Sequence, residues 1–166
     1  CFNETLDNLG ISHLLEHICT DGWNKCGNNN CSEYWKKKGA ILNASTDSTN
    51  INYFIKGLSQ YSEDMLEYIL TISTTPRINN ERVKKEKKAV ENELNIHSTH
   101  PHILMYDLLN NMLYNPEGLQ HQDDIKGQLK VLQDITTEKL KKWSDKYYVT
   151  GNLLLIISGN FSRRKI

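Results

Sequence analysis

Apolar residues recur at helical spacing near the beginning of the chain. When the stretch GISHLLEHIC, residues 10–19, is placed on a helix at about 100° per residue, its apolar side chains share one side. His13, Glu16 and His17 fall on the other side. This pattern predicts a helix over residues 9–19 that packs one side into a core and turns its polar side toward a cleft.

The rest of the chain alternates between helical and strand-like patterns. Apolar stripes and helix-capping residues predict further helices over 33–38, from 62 to before Pro76, over 80–96, over 102–113, and from Thr136 or Thr137 onward. Residues 40–44 and 50–55 are typical of a β-hairpin, and the apolar run 153–158 of a final strand. Residues 115–128 are predicted to be a loop. The order indicates an α+β fold with helices packed on a largely antiparallel sheet.

Composition narrows the class of protein. The 166 residues contain 38% hydrophobic and 24% charged residues, which is typical of one globular domain. Twenty basic residues balance twenty acidic ones, so bulk charge gives no reason to expect a nucleic-acid partner. No apolar run approaches the ~20 residues that a membrane-spanning helix needs.

The cysteines all lie in the first 31 residues. We interpret them as free thiols, which favours a reducing intracellular compartment. The spacing of Cys26 and Cys31 leaves a disulfide or a second metal site as the alternatives.

The polar side of the first helix carries candidate metal chemistry. His13 and His17 are one turn apart, so both imidazoles can reach one ion, and Zn²⁺ binds neutral imidazole nitrogens. Glu16 is then well placed to take a proton from a metal-bound water. The alternative is that the two histidines are ordinary packed or surface residues.

The helix predicted over 80–96 carries a second candidate group. Glu86 and Glu93 are seven residues apart and therefore share a face, at the margin of the apolar stripe formed by Val83, Val90 and Leu94. A carboxylate in that position needs a partner, and a metal would be one. A solvated helix with salt bridges is the alternative.

The residues from Gly10 to His17 contain the motif H-x-x-E-H, the inverse of the H-E-x-x-H zinc motif. With this motif the chain resembles the pitrilysin and insulin-degrading enzyme family of zinc peptidases, the inverzincins, which include the mitochondrial processing peptidases. Members carry a glutamate ligand about 76 residues after the second histidine and another glutamate seven residues before it, as Glu93 and Glu86 do here. Segments 39–46 and 147–160 also match the family in order.

The resemblance implies a role for each site residue. One Zn²⁺ per chain would be held by His13, His17 and Glu93, and Glu16 would be the general base on a zinc-bound water. Glu86 would hold the ligands or imidazoles in position. The implied activity is a zinc endopeptidase that hydrolyses peptides or unfolded protein segments.

The resemblance also implies how substrate binds. Asn43 and Ala44 would lie on an edge strand to which the substrate peptide adds as a further strand, although by itself this segment is typical of an ordinary core strand. Residues 1–166 are expected to form a single peptidase-like domain that lacks the family's first strands and its second homologous domain or subunit. Since that second domain completes the catalytic chamber, the isolated chain is expected to cleave weakly or not at all.

Two other functions stay open at this point. A non-catalytic scaffold or peptide-binding subunit of the same family would keep the fold without turnover. A helical interaction domain with incidental histidines would need no metal.

Overall fold

The described part of the chain, residues 3–27, 30–47, 49–113 and 125–160 without the side chains of residues 107, 110 and 111, contains seven α-helices and two β-strands in a computed structural model. In chain order these are α1 (Ile11–Thr20), α2 (Cys31–Lys37), β1 (Ile41–Thr46), β2 (Ile51–Lys56), α3 (Ser62–Thr74), α4 (Asn80–His97), α5 (Pro101–Leu113), α6 (Ile125–Val131) and α7 (Thr137–Tyr147). The strands pair antiparallel, and the α+β class is confirmed. Among these helices, none has the length and apolar character of a membrane span.

The hairpin has a fixed register. Ala44 lies opposite Tyr53 and Thr46 opposite Ile51. Along β1 the side chains alternate between exposed and partly buried, with Leu42, Ala44 and Thr46 on the more buried face. Since β1 packs on α1, this face of the strand points toward the first helix.

Helix α1 lies at the centre of the described fold. Its residues Leu14, Leu15 and Ile18 have no exposed surface, and the helix packs against α3, α4, α7 and β1. The predicted apolar side of the helix is therefore enclosed by several other elements. This enclosure fixes the helix, and with it the polar side that carries the two histidines.

A cluster of aromatic side chains extends the core toward α2 and α3. Trp23 stacks on Trp35 with ring centroids 5.3 Å apart, and Tyr68 meets both rings edge-on. The two tryptophans are almost fully buried. This cluster anchors the segment that follows α1 and so holds the end of that helix.

Two predicted elements differ from the structure. Residues 125–128 are not loop but the beginning of α6, because Ile125 and Leu129 lie on one side of a helix that packs against the core. Residues 115–124 of the same predicted loop lie outside the described residues. The strand predicted over 153–158 is also wrong: Leu153 has extended dihedral angles, but the segment pairs with no described strand. A strand needs a neighbour for its hydrogen bonds.

The expectation of free thiols is wrong for two cysteines. Cys26 and Cys31 form a disulfide with Cα atoms 5.2 Å apart, because the end of the short helix Asn24–Cys26 lies beside the start of α2. Cys19 is a free, buried thiol as expected. Cys1 lies outside the described residues.

Candidate metal and catalytic site

Helix α1 presents His13, Glu16 and His17 on one side. Its first turn is held by the Glu4 carboxylate, which accepts hydrogen bonds from the backbone N–H groups of Gly10 at 2.8 Å and Ser12 at 3.0 Å. These are donors that a helix leaves without an internal partner, so Glu4 stabilises the start of α1.

Helix α4 brings two carboxylates to the same place. Asn79 caps α4 by accepting a hydrogen bond from the N–H of Arg82 at 2.9 Å. Val83, Val90 and Leu94 are buried, and α4 packs directly on α1. Glu86 and Glu93 flank this contact and therefore face the histidines of α1.

Three side chains converge from the two helices. The Nε2 atoms of His13 and His17 are 3.2 Å apart, and the Glu93 carboxylate oxygens lie 3.3 Å from His17 Nε2 and 3.7 Å from His13 Nε2. One potential ligand atom from each residue lies within 4.8 Å of the others.

The three residues fit a zinc ion. Tetrahedral Zn²⁺ with ligands at ~2.0–2.1 Å places those ligand atoms ~3.3–3.4 Å from one another. The separations between the imidazole nitrogens and the carboxylate oxygens are close to this value. Two imidazoles and one carboxylate also form a donor set that catalytic zinc sites use.

Glu86 lies behind His17. Its Oε2 is 3.7 Å from Nδ1 of His17, the nitrogen on the other side of the ring from Glu93, and its Oε1 is 3.1 Å from Lys85 Nζ. Glu86 is nearly buried, so these two cationic or polar partners offset the cost of burying a carboxylate. The arrangement can orient the imidazole of His17.

The charges of the site are strongly coupled in the metal-free chain. Burial opposes a charge on His17, but its contacts with Glu86 and Glu93 outweigh burial and raise its pKa to about 9. Burial and the neighbouring His17 lower the pKa of His13. The contact with His17 lowers the pKa of Glu93. The site therefore holds one imidazolium between carboxylates, and a metal ion would take the place of its proton.

Glu16 has a different environment from the other carboxylates. The side chain is almost buried, and the hydroxyl of Thr46 on β1 donates a hydrogen bond to its Oε2 at 2.6 Å. Burial raises the pKa of Glu16, and the bond from Thr46 partly counteracts that rise. Glu16 is thus a carboxylate with a raised pKa beside the histidine pair.

A cleft of about 810 Å³ joins these groups to the hairpin. His13, Glu16, His17 and Glu93 line it, and so do Asn43 and Ala44 of β1, whereas Glu86 does not. The Ala44 N–H donates to Oδ1 of Asn43 at 3.0 Å. The structure thus brings the sequence-predicted ligands, the candidate base and the candidate substrate strand to one cavity.

Thr46 and Glu4 touch the site, although the sequence alone assigns neither of them a role. Thr46 lies 30 residues from Glu16, and its position on the more buried face of β1 is the signal that could have drawn attention to it. Glu4 precedes α1 by several residues in an irregular segment, where no periodicity marks it.

Comparisons with known proteins give a family match over most of the chain. Residues 1–122 match the family described as insulinase, peptidase family M16. A Rickettsia felis protein named an uncharacterized zinc protease is 28% identical over 163 residues, which cover 98% of this chain and 39% of that protein. The chain thus spans about two fifths of the length of such curated relatives.

Two solved structures share the fold. A protease from Helicobacter pylori superimposes with a TM-score of 0.75 at 24% identity, covering 90% of this chain and 36% of the other. Pitrilysin gives the same TM-score at 22% identity, covering 89% of this chain and 16% of the other.

Proposed function

We propose a function from the family: the chain belongs to the insulinase family of peptidases, peptidase family M16. In this proposal it is the zinc-binding part of an endopeptidase that hydrolyses peptides or unfolded protein segments. The observation that carries this proposal is the convergence of His13, His17 and Glu93 at the spacing of zinc ligands. Glu16 lines the same cleft. The names of the relatives as zinc proteases support the metal and the reaction class.

In this proposal the chain's own residues divide the work of hydrolysis. His13, His17 and Glu93 would hold one zinc ion, which would lower the pKa of water and polarise a peptide carbonyl. Glu16 takes a proton from the attacking water and returns it to the nitrogen of the leaving amine as the C–N bond breaks. Glu86 keeps the imidazole of His17 oriented through its Nδ1 atom.

The substrate would bind along β1. Within the described residues, the strand lies at the edge of a two-stranded sheet and borders the cleft. An extended peptide could therefore pair with its outer backbone groups beside Glu16, in place of the contact between Ala44 and Asn43. We further propose that a second homologous domain or subunit completes the chamber around that peptide, since the chain covers a minor part of its relatives. Because such pairing contacts the backbone of the peptide and not its side chains, peptides of many different sequences could bind.

Metal content tests the ligand set. Purified protein, dialysed against zinc and then against buffer, should retain about one zinc ion per chain, and Glu93→Ala should lose most of it because a three-residue site becomes a two-residue site. Glu91→Ala is the matched control: it lies on the same helix and outside the ligand cluster. Equal zinc in all three proteins would exclude the site.

Turnover is tested separately with Glu16→Gln. This variant should bind zinc as the wild type does but hydrolyse an unstructured peptide at least ~100-fold more slowly, because it lacks a general base. Zinc binding without hydrolysis by the wild-type protein, both alone and together with the proposed second domain or subunit, would instead identify a scaffold or peptide-binding subunit.

A further inference from the structure

The bond between Thr46 and Glu16 is a buried contact that ties the hairpin to the candidate base. Thr46 Oγ1 lies 2.6 Å from Glu16 Oε2. Among the described residues, Thr46 is the side chain that donates a hydrogen bond to this carboxylate. A carboxylate that is 8% exposed has few waters to hold it, so its orientation depends on this donor.

The hydroxyl of Thr46 is itself held in place. Thr46 is the last residue of β1 and pairs with Ile51, and the following residue, Asp47, donates its N–H to the carbonyl of Asn50 at 2.8 Å. A β-branched side chain on a strand has few χ1 choices, so a fixed backbone also fixes the hydroxyl. The donor is therefore preorganised by the end of the hairpin.

The bond leaves the two oxygens of Glu16 in different situations. Oε2 accepts from Thr46, and the cleft that both residues line is the side from which a water or peptide would approach. A carboxylate rotates about its last bond unless one oxygen is anchored, since that torsion is broad. Anchoring Oε2 presents Oε1 in one direction.

We propose that Thr46 is a positioning residue that fixes the carboxylate of Glu16 for proton transfer. The inference rests on the proposed function, because it gives Glu16 the role of general base. It adds a link between substrate binding and catalysis: Thr46 belongs to the strand along which a peptide would pair, two residues beyond Ala44. A peptide that displaces the end of β1 would also displace the donor to the base.

The test compares Thr46→Val, Thr46→Ser and Thr49→Val in the zinc-loaded protein. Valine keeps the branched shape of threonine without the hydroxyl, and serine keeps the hydroxyl without the methyl group. Thr49 is an exposed threonine of the same hairpin outside the cleft, so Thr49→Val is the matched control.

We expect Thr46→Val to keep its zinc and its KM for an unstructured peptide, and to lower kcat roughly 10- to 100-fold, the range found when a supporting hydrogen bond of a metal site is removed. Thr46→Ser should recover most of kcat, and Thr49→Val should match the wild type. A Thr46→Val protein with unchanged kcat would overturn the inference while the proposed function stands.

Crystal structures of the same variants give a readout that needs no turnover. In Thr46→Val the Glu16 carboxylate should occupy more than one orientation or a new one, and in Thr46→Ser it should keep the wild-type orientation. A single wild-type orientation in Thr46→Val would overturn the inference even if the wild-type protein hydrolyses nothing, in which case the proposed function would have failed separately.

Discussion

At the scale of single residues, neighbouring groups of the candidate site differ in the cause of their pKa shifts. Glu16 and His17 are adjacent in sequence, yet one is a carboxylate whose pKa is raised by burial and the other an imidazole whose pKa is raised by carboxylates. The difference arises from their partners: Thr46 contacts Glu16, whereas Glu86 and Glu93 contact His17. Neighbours along one helix therefore acquire different electrostatic environments from elements that lie far away in sequence.

The first prediction concerns the stability of the metal-free protein against pH. His17 has a pKa of about 9 in the folded chain, above the ordinary value of 6.5. Its protonation therefore contributes stability that is complete below about pH 6.5 and is lost as the pH rises through about 9. After removal of metal, the unfolding temperature should fall between these pH values.

The variant Glu86→Gln isolates this effect, because it removes one of the two carboxylates that stabilise the charged imidazole. The fall in its unfolding temperature over the same pH range should be smaller than in the wild type. Glu33→Gln, on the exposed surface of α2, should behave as the wild type. Equal falls in wild type and Glu86→Gln would contradict the assignment of the shift to Glu86.

At the scale of elements, the sequence predicted what a repeating pattern can encode. The predicted ends of α1 and α4 lie within two residues of the observed ones, because each helix has an apolar stripe at helical spacing. The hairpin followed from two alternating segments around a polar turn. The ligand set was implied by the resemblance to a peptidase family, and the structure brings those residues together.

The elements that could not be predicted depend on tertiary contacts. The seven residues of α6 include Gly127, and packing against α4 stabilises this short helix where its own propensity is weak. The spacing of Cys26 and Cys31 left a disulfide as an alternative to free thiols, and the choice between them depends on how close the fold brings the two residues. The bond from Thr46 to Glu16 joins a strand to a helix, and no local rule connects them.

The second prediction concerns the disulfide between Cys26 and Cys31. Joining Cys26 and Cys31 restricts a short loop in the unfolded chain, which stabilises the fold by about 2 kcal/mol on a chain-entropy estimate. A reducing agent should lower the free energy of unfolding of the wild type by this amount, measured by urea titration. The double variant Cys26→Ala/Cys31→Ala should be insensitive to the same agent. Two reactive thiols at these positions in the untreated protein would contradict the pairing.

At the scale of the whole molecule, the candidate site lies where α1 and α4 pack together. The α1–α4 interface buries Val90 and Leu94 on one side and opens at the cleft, where the two histidines and Glu93 lie. A ligand bound by both helices would therefore stabilise the folded state as a whole. Such a ligand acts on the global unfolding equilibrium because the unfolded chain lacks the site.

The third prediction follows from that linkage. Zinc present at about 1,000 times its dissociation constant stabilises a protein by about 4 kcal/mol. For a chain of this size that corresponds to a rise in Tm on the order of 10 °C. A chelator should reverse the rise, followed by differential scanning calorimetry, and His17→Ala should show no response to zinc or chelator. A chelator effect of equal size in His17→Ala would place the responsible ion elsewhere.

The distribution of the three candidate ligands along the chain has a kinetic consequence. His13 and His17 are neighbours on one helix, whereas Glu93 follows 76 residues after His17. A single helix forms in about a microsecond, but bringing the third group to it requires closure of a long loop, whose entropic penalty grows with the logarithm of its length. In the proposed zinc protein, an ion bound to the imidazole pair before that closure would give α4 a docking point at Glu93. The order in which metal and carboxylate arrive would thereby select the assembly pathway.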